Sequence, residues 1–219
     1  MYQLIKKEIL TQRKLAYVQP LFLLVWLLNT GSGTTFNVTD NSFLPVVNGF
    51  IAAYFAYLMV VFSNFGTKES DKRQNRLVLS LPVRRRSVID VKYAMISCWW
   101  LFTYFFCVIF TLLLKVIFQA TTIQISFRSL IFSLCITYLL SSITYPVYYK
   151  FGYKITQFIA MLFLFLFFFF IEKISQNGIY YEAFSEVTGY PMIAIIIVTV
   201  IIVFASYFLS IHFYQKEEF

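Results

Sequence analysis

Six stretches of this sequence, at about residues 17–36, 45–65, 94–118, 125–147, 155–172 and 191–213, are apolar for long enough to cross a bilayer core as helices. Runs of that length and number leave the chain one structural class. A water-soluble fold needs polar groups to cover its surface, and here 60% of the 219 residues are hydrophobic, 21% aromatic and only 13% charged. The expected fold is an all-α integral membrane protein of six transmembrane helices over residues 1–219, with no room for a second globular domain.

The first run is the shortest in its dense part, VQPLFLLVWLL, and is followed by NTGSG. Taken alone it fits either a full crossing or a partly unwound, re-entrant segment. Charge supplies a second constraint. Lys6, Lys7, Arg13 and Lys14 precede run one, and Lys68, Lys72, Arg73, Arg76, Arg84, Arg85, Arg86 and Lys92 lie between runs two and three. Both groups are expected on the cytoplasmic side, so an even number of crossings separates them, and run one must span if run two does. With Lys150, Lys154 and Lys216 included, fifteen of the eighteen basic residues fall inside, and both termini are expected to be cytoplasmic.

The opening MYQLIKKEILTQRK is charged and amphipathic, which suits an interfacial helix and not a signal peptide. Residues 172–191, where glutamates mix with Tyr180, Tyr181 and Phe184, are expected to form an interfacial helix or hairpin on the outer side. The net charge of +8 belongs to an inner face that meets anionic lipid and implies no nucleic-acid partner.

Most chemistries are excluded by what is missing. No Gly-rich loop ends in Gly-Lys-Ser/Thr, so the chain has no means of cradling ATP phosphates itself. There is no Gly-x-Ser-x-Gly, no His-Glu-x-x-His and no paired intramembrane carboxylates. His212 is the only histidine, and Cys98, Cys107 and Cys135 lie in apolar runs, so a metal site and a disulfide framework are not expected. Every charge sits near the end of a run, which speaks against ion-coupled transport through buried ionisable groups.

The loop between runs two and three is the place left for a specific interaction. From Glu69 to Leu81, ESDKRQNRLVLSL has an acidic start and apolar residues at Leu77, Val78 and Leu81, the pattern of an amphipathic helix. Pro82 disfavours a helical residue before it and suits the first turn of a new helix, so the chain is expected to bend there. A second helix then runs from Val83 through the arginines to Lys92 and Tyr93 and into run three, with Asp90 one turn from Arg86 and able to pair with it. The loop has two readings: a positive-inside anchor for run three, or a platform of two angled helices that docks a protein beneath the membrane.

The succession Glu69, Lys72, Leu79-Ser80-Leu81-Pro82-Val83, Arg84, Val88 and Lys92-Tyr93 resembles the loop after span two in small bacterial permeases of type-2 ABC exporters. Pro146 followed by Tyr149-Lys150-Phe151-Gly152 is similar to their 4/5 loop, and the run from Ser206 to Glu218 is similar to their C-terminus. Within that group the chain looks most like the permeases of staphylococcal exporters for phenol-soluble modulins and of lantibiotic-immunity transporters.

The resemblance implies a single transmembrane permease domain over 1–219. Its coupling helix, with Glu69, Lys72, Arg73, Leu77, Leu79, Leu81, Pro82 and Arg84, would fit a groove on a separate cytoplasmic ABC ATPase subunit. Lys150, Gly152 and Lys154 would make a further inner-loop contact. ATP and Mg would be bound by that ATPase and no cofactor by this chain. A second permease, the same chain or a paralogue, would complete the pathway in the bacterial cell membrane, and the substrate would be an amphipathic or cationic peptide. The competing functional reading is a non-transporting immunity or sensor protein that sequesters membrane-active peptides without an ATPase.

Overall fold

The computed structural model describes residues 5–6, 9–10, 13–31, 44–64, 85–118, 127–176 and 192–216. Among them are six long helices: α1 (Arg13–Gly31), α2 (Leu44–Asn64), α3 (Arg85–Phe118), α4 (Phe127–Phe151), α5 (Tyr153–Gln176) and α6 (Met192–Lys216). They fall on the six apolar runs, with several boundaries displaced. The helix α1 starts earlier than expected, at Arg13, and is described as far as Gly31, keeping Pro20 inside it. At 34 residues, α3 rises about 51 Å against a core of about 30 Å, so its basic first turn projects beyond the apolar layer. Three described segments are long and apolar enough to cross a membrane, Arg86–Leu114, Ser129–Phe151 and Ile193–Gln215.

The outward surfaces are apolar. Leu101 and Phe105 on α3, Phe158 and Phe165 on α5, and Ile201 and Phe208 on α6 are all exposed. A protein in water would not leave such continuous apolar faces uncovered, whereas lipid tails solvate them.

The interior is held by small and hydroxyl side chains, because lipid offers helices no hydrophobic reason to associate and close backbone approach must supply the attraction. The central helix is α4, which packs most extensively on α2 and α6 and also touches α3 and α5. Its buried Ser129, Ser133, Thr137 and Ser141 recur every four residues, forming one stripe. Facing them, α2 presents Gly49, Ala53 and Ala56, all buried. The approach is close at Gly49, where an added Cβ would lie 2.8 Å from the carbonyl oxygen of Ser129. Thr137 Oγ1 donates to Ser133 O at 2.8 Å within its own helix and lies 3.3 Å from Ala53 O across the interface.

Side-chain hydrogen bonds define the directions of the helices. Trp100 Nε1 donates to Ser133 Oγ at 2.9 Å, Ser97 pairs with Tyr138, and Tyr145 Oη donates to Lys92 O at 3.1 Å, so α3 and α4 run antiparallel. Gln19 Nε2 donates to Thr103 Oγ1, placing α1 beside α3. Ile5 and Ala16 pack on the same cluster as Tyr93, Tyr149 and Tyr214. The N-terminal segment, the start of α3, the end of α4 and the end of α6 thus meet at one end of the bundle.

Candidate functional site

That shared end is where the charged loop enters the membrane domain. The expected coupling residues Glu69, Lys72, Arg73, Leu77, Leu79, Leu81, Pro82 and Arg84 lie outside the described residues, as do residues 177–191 of the expected outer hairpin. The expected second helix is present from Arg85 onward and continues into α3 without a break. The structure therefore describes the foot on which the loop stands.

The foot is bolted to α6 by two sets of contacts. In the first, Arg86 and Asp90 are four residues apart on one face of α3, as the sequence requires of an i, i+4 pair. They are bridged by a third residue where a direct pair was expected. Arg86 Nε donates to Tyr207 Oη at 3.2 Å, and that hydroxyl donates to Asp90 Oδ1 at 2.5 Å. A phenol can accept from the cation and donate to the anion at once, so one hydroxyl satisfies both.

The second set is deeper and resolves a backbone problem. Pro146 lies inside α4 and has no N–H, so the carbonyl of Ser142, four residues earlier, lacks its helical donor. Ser206 Oγ on α6 donates to Ser142 O at 2.6 Å. Having spent its one proton there, Ser206 must accept from Tyr93 Oη, 2.7 Å away, and Tyr93 in turn accepts from Ser210 Oγ at 3.2 Å. A chain of donors therefore runs from Ser210 through Tyr93 and Ser206 to α4. In a low-dielectric interior such a chain is costly to break, since each freed group would be stranded without water.

Aromatic rings surround these bonds. Tyr93 lies 5.0 Å from Tyr145 and 5.5 Å, edge to face, from Tyr207, while Tyr149 meets Tyr214 at 5.3 Å. With Ile89, Ile96 and Trp99 they form the largest buried cluster described. Packing of this kind holds α3, α4 and α6 together at this end.

The three expected inner-loop residues occupy the adjoining corner. Lys150 Nζ lies 5.0 Å from the ring centre of Phe151 and 5.4 Å from that of Phe213, joining the last turn of α4 to α6 by cation–π contact. Gly152 has φ of 79°, and its N–H donates to Tyr148 O at 2.9 Å, closing α4 with a left-handed cap. Its own carbonyl accepts from Thr156 N and Thr156 Oγ1, so the same residue starts α5. Lys154 is exposed in the first turn of α5. Sequence reasoning missed Tyr207 and the serines' partners. The spacing of Ser206, Ser210 and Tyr214, four residues apart, signals one face of α6, but nothing local says that α3 covers it.

Among the described residues no group of three or more histidine, cysteine, aspartate or glutamate side chains could hold a metal ion. The arrangement joins helices and can pass movement between them. The described residues are all-helical, and the segment after the basic loop enters a hydrogen-bonded joint between α3 and α6.

Comparison with known families agrees. The family model described as ABC-2 family transporter protein matches residues 3–215, and the chain belongs to that family. It is therefore a membrane subunit with a permease role in an ABC transporter, a class that in general works in the bilayer with an ATPase partner. No curated protein and no solved structure matched the chain.

Proposed function

We propose that the chain is the permease of an ATP-driven exporter that moves amphipathic or cationic peptides, of the phenol-soluble modulin or lantibiotic type, out of a bacterial cell. The observation that carries this reading is membership of the ABC-2 transporter family along residues 3–215, in a chain with no ATP-binding loop of its own. Residues 1–219 act as one permease domain, paired with a second copy or a paralogue. ATP and Mg are bound on a separate subunit.

The bundle end that carries Lys6, Arg13, Arg86, Lys150 and Lys154 faces the cytoplasm, consistent with the excess of basic residues there. Residues 69–82 dock on the ATPase, with the bend at Pro82, Arg84 just after it, and Lys150, Gly152 and Lys154 as the second contact. The peptide class rests on the resemblance to permeases of exporters for amphipathic and cationic peptides.

The test is to purify the chain with its ATPase and measure ATP hydrolysis and peptide export after Arg84→Glu, or after Leu77 and Leu81 are made polar. Both activities are expected to fall as the subunits separate. Unchanged ATPase binding and export would remove the coupling assignment. Protection of cells from membrane-active peptides by the chain without any ATPase would favour sequestration over export.

A further inference from the structure

If movement enters through the loop before α3, the structure shows where it must go next. The helix α3 contains no proline or glycine between Arg85 and Phe118, and neither does α6 between Met192 and Lys216, nor α5 between Tyr153 and Gln176, so each is free of the residues that kink a helix. By contrast α1 and α4 carry Pro20 and Pro146. The helices α3 and α6 are joined at the end nearest the loop by hydrogen-bonded side chains. Outermost in that joint is Tyr207, placed between a cation and an anion that both belong to α3.

We infer that Tyr207 is a positioning residue for transport: through Arg86 and Asp90 it makes the foot of α3 and the inner half of α6 swing as one body when the loop is pushed. The inference rests on the reading of the chain as an ATP-driven permease. Three features separate this joint from ordinary packing. Tyr207 is only partly buried, so its ring contributes less to the core than Tyr93 or Tyr149. Both of its hydrogen-bond partners are charged, which makes the bonds strong and geometrically selective. And Asp90 is held by a residue 117 positions away in sequence, on the helix that α3 must carry.

The experiment uses the full chain with its ATPase in lipid nanodiscs. Cys98, Cys107 and Cys135 are replaced by alanine, and spin labels are placed at Leu209→Cys on α6 and Phe158→Cys on α5, both exposed positions in the halves nearest the loop. Trapping with ATP and vanadate is expected to shift the distance between the labels. In Tyr207→Phe, which keeps the ring and loses the hydroxyl, the shift should be lost while complex assembly and ATP turnover persist. A purely structural role would instead lower assembly and turnover together.

Asp90 provides a second measurement that does not depend on Tyr207→Phe folding. Asp90→Asn keeps an oxygen that can accept from Tyr207 and should retain the shift, whereas Asp90→Leu should lose it. Equal shifts in the wild type, Tyr207→Phe and Asp90→Leu would overturn the joint and leave the permease reading standing. Failure of the wild-type chain to assemble with an ATPase would overturn that reading, and the inference with it.

Discussion

Ser206 on α6 stands in for the hydrogen bond that Pro146 withholds from α4, its Oγ lying 2.6 Å from the orphaned carbonyl of Ser142. A proline inside a membrane helix needs such a partner because lipid cannot supply one. The two residues are therefore coupled. Ser206→Ala is expected to lower stability by about 1 kcal/mol, the scale of one lost interhelical hydrogen bond. Adding Pro146→Ala restores an N–H to α4 and should recover most of that loss. Unfolding of the single and double variants in detergent micelles measures the cycle, and simple additivity of the two changes would refute the coupling.

Gly49 sets the approach of α2 to α4. Because the atom that a Cβ would strike is the backbone oxygen of Ser129, relief requires the helices to separate. Gly49→Ala should destabilise the protein by about 1–3 kcal/mol, in the range of core overpacking. Leu101→Ala, on a lipid-facing surface of α3, should change thermal stability little by comparison.

At Gly152 the cost of a side chain has a different origin. Nothing lies within 4 Å of a Cβ built there, but φ is 79°, so substitution brings strain without a clash. Gly152→Ala is expected to cost about 1–2 kcal/mol, and Gly152→Asn less, since Asn tolerates the left-handed region better. Thermal melts of the two variants decide this. Equal destabilisation would mean that the backbone angle is not the cause.

The proposed orientation predicts sidedness. In a background without native cysteines, Lys154→Cys should react with a membrane-impermeant maleimide only after cells are opened. Glu182→Cys, in the segment expected outside, should react in intact cells. The reverse pattern would invert the assignment drawn from the basic residues.

Much of the fold was legible in residue order. The six helices of the described residues fall on the six apolar runs because burial in hydrocarbon demands contiguous apolar length, which is a local property. The helix expected from Val83 is described from Arg85 onward, and it was legible for a similar reason, since a proline disfavours helix on its N-terminal side and allows it after. The Arg86–Asp90 pairing was seen only in part. Spacing placed them on one face, but the hydroxyl between them comes from Tyr207, a residue whose sequence neighbours, Ser206 and Phe208, give no hint of it. The small residues Gly49, Ala53 and Ala56 share one helical face of α2, yet their partner stripe on α4 is not identifiable from spacing.

By itself, the sequence determined that this chain lives in a membrane, where its helices run and which end of the bundle is basic. Those outcomes follow from transfer free energies and charge placement summed along short windows. Tertiary structure alone decided that α4 is central, that Ser206 answers Pro146, and that Tyr207 bridges Arg86 and Asp90. Helical periodicity says which residues share a face, but which helix covers that face depends on how all six pack at once. In an apolar solvent that choice is made by whichever hydroxyls and small residues can satisfy one another.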